Sequence, residues 1–133
     1  MRVLFICTGN SFRSPAAEAL TRKFQPHLEV ESAGTHPTDH IANDAKRLLA
    51  RETAKRYVKP NPNKITQRAI NEADLIIVFE KMHKNHLLEN FQLSPQKIIN
   101  WNIEDPIKPT INPEDSFAQT RERIKELSPE RAL

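Results

Sequence analysis

A single cysteine stands at position 7, at the exit of the apolar run RVLFIC, and an arginine follows within CTGNSFRS. A thiol and a guanidinium brought together by one short loop could carry out nucleophilic chemistry on an oxyanion. The residues between Cys7 and Arg13 can turn successive N–H groups inward, and a helix beginning just after them adds the positive end of its dipole. Gly9 is expected to supply the positive φ for that convergence, and Asn10, which tolerates a left-handed conformation, to brace the turn through its side chain. Thr8, Gly9, Asn10, Ser11, Phe12, Arg13 and Ser14 would then form a cradle of phosphate size, with the planar Arg13 fork on two of the oxygens. In such a field Cys7 is expected as a thiolate nucleophile. In-line attack on phosphorus would give a cysteinyl-phosphate that water hydrolyses. Ser14 can donate a hydrogen bond to the sulfur and ease its departure.

The leaving oxygen needs a proton, and a loop-held carboxyl group can deliver it. Asp105, in IEDPIKP, is the expected acid because it follows the last expected strand on the same side of the sheet as Cys7. Glu104 is its rival, but alternation at the strand exit points it the other way.

These residues require strands that end where the chemistry happens. Residues 2–7, 28–32, 74–80 and 97–101 read as strands, 2–7 and 74–80 as buried and 28–32 as alternating. Helices are expected from Ser14 as cap with Pro15 at the first helical position, over 41–58, from a Thr66 cap to Glu72, over 82–91 and over 114–128. Apolar strands alternating with helices imply an α/β fold with a parallel sheet covered on both faces. Ligands of such sheets bind beyond the carboxyl ends of the strands.

At 133 residues, one domain spanning 1–133 is expected. The longest apolar stretches, such as LIIVF at 75–79, are far too short to cross a bilayer, and MRVLFIC is not expected to be a signal peptide. One cysteine makes no internal disulfide, which points to the cytoplasm. One cysteine and five dispersed histidines also give no metal-ligand spacing, so no metal or cofactor is expected. A net charge of +3 is too mild to argue for nucleic acid. The basic stretch 46–59 reads as the solvated face of an amphipathic helix.

The whole chain resembles the low-molecular-weight protein tyrosine phosphatase family. VLFICTGNSFRSPAAEAL carries the likeness most specifically, with support from ESAGTHP at 31–37, ADLIIVFEKMH at 73–83 and the late EDP. The resemblance implies a single-domain three-layer sandwich with a four-stranded parallel sheet of order 2-1-3-4. It implies Cys7 as nucleophile, Arg13 as phosphate binder, Asn10 and Ser14 as stabilisers of loop and thiolate, Ser32 as the group orienting Asn10, and Asp105 as acid, without a metal. Phosphorylated proteins or small phosphate esters are the implied substrates, and phosphate and vanadate-type oxyanions the implied ligands.

The sequence departs from the family pattern in four places. Phe12 stands where many members have a second cysteine. Ser11 stands where tyrosine-selective members commonly have isoleucine, closer to the threonine of the protein-arginine phosphatase branch. Ile107 and Lys108 follow Asp105-Pro106 in place of an aromatic pair, and the loop after Gly34 lacks an aromatic wall. The bracing histidine of some members falls near Pro60, so the loop is expected to be held rigid by other means. His36 and His40 read as solvated loop residues.

Two other functions fit parts of the pattern. An arsenate reductase coupled to thioredoxin needs further cysteines that this chain lacks. A non-catalytic phosphate-binding module would need the cradle but not Asp105.

Overall fold

The computed structural model describes residues 1–107 and 110–127; Lys108 lies outside them. β1 (Arg2–Cys7), β2 (Glu29–Gly34), β3 (Leu75–Val78) and β4 (Ile98–Asn100) form one parallel sheet of order β2-β1-β3-β4. The expected order 2-1-3-4 is the one observed. Among the described residues, five α-helices connect or follow the strands: α1 (Arg13–Phe24), α2 (Asn43–Arg51), α3 (Gln67–Glu72), α4 (Lys81–Asn90) and α5 (Pro113–Glu126).

Strand alternation divides the apolar residues between two cores. Val3, Phe5 and Cys7 of β1 join Leu75 and Ile77 of β3 in a core with residues of α1, α2 and α5. Leu4 and Ile6 join Ile76 and Val78 in a second core that includes Ile70 of α3 and Leu87 of α4. The central strands are buried on both faces, which is why their sequences read as unbroken apolar runs. Phe5, Phe79 and Trp101 pack beneath the sheet's carboxyl end, with centroids 5.6 to 6.4 Å apart.

Several boundaries differ from the sequence reading. β2 runs on through Ala33 to Gly34, because Gly34 and Cys7 pair in the ladder. The expected helix over 41–58 stops at Arg51; Thr53 adopts φ 53°, and a separate 3-10 turn follows at Lys55–Tyr57. Thr66 caps α3 as expected, its hydroxyl accepting from the Ala69 amide at 3.1 Å. Ser14 does not cap α1. Phe12 occupies the N-cap position without a side-chain cap, which frees the Ser14 hydroxyl for another contact.

Candidate active site

The segment after β1 wraps around the Cys7 sulfur at the carboxyl end of the sheet. The carbonyls of Cys7, Thr8, Gly9 and Ser11 accept from the amides of Thr35, His36, Thr38 and Ala42 at 2.8 to 3.1 Å. In a planar trans peptide the following N–H points opposite to the carbonyl. The amides of Thr8, Gly9, Asn10 and Phe12 are therefore directed away from the 35–42 segment and into the loop. The left-handed residue is Asn10, at φ 51°, and not Gly9 as expected. A Cβ at Gly9 would lie 2.9 Å from Thr38 Cγ2, a side-chain methyl that would have to shift. Gly34 presses on the same loop, since its Cβ would meet the Thr8 carbonyl oxygen at 2.6 Å.

The Asn10 side chain is fully buried with every hydrogen-bonding position filled. Its Nδ2 donates to Ser14 Oγ at 2.8 Å and to Ser32 Oγ at 3.0 Å. Its Oδ1 accepts from Lys59 Nζ at 2.6 Å and from the Asn63 amide at 3.0 Å. Ser32 Oγ in turn donates to Glu18 Oε1 at 2.5 Å. Ser14 Oγ lies 2.9 Å from Cys7 Sγ; because it already accepts from Asn10, its own hydrogen is available to the sulfur.

Arg13 is 2% exposed, so its charge must be paired. Nη1 donates to Glu80 Oε2 at 2.7 Å and to the Ile103 carbonyl at 2.9 Å, and the guanidinium carbon sits 5.9 Å from the centre of the Phe79 ring. Nη2 reaches Asp105 Oδ2 at a looser 3.5 Å. The guanidinium is thus fixed from one side by β3 and β4 exits while Nη2 remains toward Asp105. Glu104 is engaged elsewhere, accepting from Thr110 Oγ1, and Asp105 Oδ1 accepts from the Ile107 amide at 3.2 Å.

The structure brings Cys7, Arg13, Asp105, Asn10, Ser14 and Ser32 to one end of the sheet. It adds three residues that the sequence reading missed. Glu80 holds Arg13. His83 accepts from the Glu80 amide through Nδ1 at 3.0 Å, so its Nε2–H donates to Thr8 Oγ1 at 2.8 Å and steadies the loop's first residue. Lys59 takes the bracing position, one residue from where the family histidine was expected. Burial holds its ammonium below the ordinary lysine value, while the charges of Glu18, Cys7 and Glu31 pull it back up. His36 and His40 are exposed, as expected of solvated loop residues, and His36 stands edge-on to His86 with centroids 5.6 Å apart. Ser11 Oγ donates to the His40 carbonyl at 2.9 Å.

This arrangement presents a sulfur, a ring of amides and a fixed guanidinium to a tetrahedral anion, with a carboxyl group at its rim. Among the described residues, no three His, Cys, Asp or Glu side chains lie together as a metal-binding group, and no helix is long and apolar enough to cross a membrane.

The family model described as low molecular weight phosphotyrosine protein phosphatase matches residues 2–131. A low molecular weight protein-tyrosine-phosphatase of Acinetobacter johnsonii is 30% identical over 111 residues, covering 78% of this chain and 78% of that protein. The protein-arginine-phosphatase of Bacillus subtilis is 26% identical and covers 96% of this chain and 91% of its own. The crystal structure of a low molecular weight protein tyrosine phosphatase from T. tengcongensis superposes with a TM-score of 0.77 at 26% identity, over 95% of this chain and 93% of that one.

Proposed function

The chain belongs to the low molecular weight phosphotyrosine protein phosphatase family, and we propose that it hydrolyses phosphotyrosine-type monoesters with Cys7 as nucleophile, Arg13 as phosphate binder and Asp105 as acid. The observation that carries this reading is the contact of Cys7 Sγ with Ser14 Oγ at 2.9 Å, beside a buried Arg13 whose Nη2 faces Asp105. Sγ attacks phosphorus, the S–P bond forms, and the bond to the leaving oxygen breaks as Asp105 gives that oxygen its proton. Asp105 then takes a proton from water, the water oxygen bonds to phosphorus, and the S–P bond breaks to return the thiolate and release inorganic phosphate. Loop amides and Arg13 stabilise the charge on the equatorial oxygens.

The finer reading is of a metal-independent enzyme of the cytoplasm, acting on phosphorylated protein or small phosphate esters and bound by phosphate or vanadate. It has no nucleic-acid or membrane partner. Aryl phosphate turnover by the purified chain in excess chelator tests it: undiminished turnover agrees, and loss restored by a divalent cation contradicts it.

Phosphoarginine is the second substrate reading. It is favoured by the small Ser11, whose hydroxyl is tied to the His40 carbonyl, and by the aliphatic, 87% exposed Ile107 after Asp105-Pro106. Neither residue offers an aromatic slot for a phenyl ring. Parallel assays on phosphotyrosine and phosphoarginine peptides separate the two, the larger kcat/KM identifying the substrate class.

A further inference from the structure

Asn10 is the keystone of the loop, and both partners of its side-chain oxygen, Lys59 and the Asn63 amide, come from far along the chain. Lys59 reaches it from the segment after the 3-10 turn and donates to three oxygens: Asn10 Oδ1 at 2.6 Å, the Ser32 carbonyl at 2.9 Å, and Asn63 Oδ1. An ammonium has three N–H donors, and here all three are taken. The acceptors belong to the anion loop, to β2 and to the segment before α3, so a single cation ties three separate pieces of chain to one side chain.

The consequences run in one direction. With Oδ1 held by Lys59 and the Asn63 amide, the Asn10 amide cannot flip, and Nδ2 must face Ser14 and Ser32. Ser14 Oγ, accepting from Nδ2, then turns its hydrogen to Cys7 Sγ. Asn10 is also the loop's left-handed residue, so fixing its side chain fixes the peptide turn that aims the neighbouring amides. The charge matters as well as the geometry. Burial disfavours the protonated form of Lys59, while Glu18, Cys7 and Glu31 are close enough to favour it.

We propose that Lys59 is a positioning residue for the phosphate-binding loop, acting through Asn10 on Ser14 and Cys7 rather than touching substrate. This deepens the phosphatase reading and rests on it.

The test is a double-mutant cycle on aryl phosphate hydrolysis by the full chain, using Lys59→Met, Asn10→Gly and the double variant. Methionine keeps most of the aliphatic stem, and glycine keeps the left-handed turn while removing the side chain. The expected result is that each single variant loses about tenfold or more in kcat/KM, while the double is within about twofold of the worse single. A Lys59→Met value within about twofold of wild type, or losses that multiply in the double, would overturn the proposal. If Lys59→Met does not fold, Lys59→Ala folded in methylammonium chloride decides. Activity recovered by methylammonium and not by tetramethylammonium, which is too large for the vacated site, supports the role; no recovery overturns it. A wild-type chain without turnover would overturn the phosphatase reading and this role with it. An active wild type with an indifferent Lys59 overturns this role alone.

Discussion

The Ser14 hydroxyl stands 2.9 Å from the Cys7 sulfur, and its oxygen is already occupied by the Asn10 amide group, so its proton faces the sulfur. A hydrogen bond aimed at a thiolate stabilises it both before attack and again as it leaves phosphorus. Removing it acts most on the second of these moments, when sulfur is the leaving group. Ser14→Ala is therefore expected to slow breakdown of the cysteinyl-phosphate by about 10- to 150-fold, the worth of a hydrogen bond to a charged group. Rapid-quench assays should show a burst of phenol close to the enzyme concentration. A variant that slows burst and steady state equally would assign Ser14 to loop structure instead.

Asp105 lies 3.5 Å from Arg13 Nη2, and in the proposed reaction it gives the leaving oxygen its proton. Asp105→Asn should cost about 10²- to 10⁴-fold on phosphate esters of poor leaving groups and far less on those of good ones. A plot of rate against leaving-group acidity checks this. Equal slowing across the series would move the acid role elsewhere.

Gly34 packs its α-carbon against the anion loop, where a methyl group would sit 2.6 Å from the Thr8 carbonyl oxygen. That neighbour is backbone, tied to the His36 amide, and cannot yield without moving the loop. Gly34→Ala is expected to destabilise by about 1–3 kcal/mol, as overpacking of a tight site does, and to lower turnover with it. Thermal unfolding and aryl phosphate assays on the same preparation check both; unchanged melting would mean the loop is softer than its hydrogen bonds imply.

The pH dependence follows from Lys59. Burial is the leading cause that holds its ammonium below the ordinary value of 10.5, against Glu18, Cys7 and Glu31, which raise it. Between its folded value and 10.5 the folded chain binds fewer protons at this site than the unfolded chain, so stability contributed by this group rises with pH. It is present in full above the unfolded value and lost as pH falls through the folded one. Subtracting the pH–Tm curve of Lys59→Met from that of wild type should give a difference that rises with pH in that alkaline window. Activity should run the other way, since the deprotonated amine has one donor fewer for three acceptors. A flat difference curve would contradict the burial of this charge.

Much of the arrangement could be read before the fold was known, for physical reasons that also explain the omissions. Strands buried on both faces write themselves as apolar runs, which makes β1 and β3 legible, whereas the sheet order follows only from the family resemblance. Cys7, Asn10, Arg13 and Ser14 are close in sequence, so one loop argument covered them. Lys59 and Glu80 could not be found in that way. Their contacts to Asn10 and Arg13 cross 49 and 67 positions, and only the folded sheet brings them together. The basic stretch 46–59 does carry solvated charges, but its last lysine turns inward. Residue type alone favours Gly9 for the positive φ, but Asn10, which also tolerates it, takes it, and in that conformation all of its side-chain hydrogen-bonding positions are filled.

The most direct test compares wild type with Cys7→Ser on an aryl phosphate, with inorganic phosphate binding measured on both proteins. Turnover by wild type alone, with phosphate bound by each, is the predicted result, because the loop and Arg13 remain while the nucleophile is lost. Sustained turnover by Cys7→Ser would contradict covalent catalysis through this sulfur.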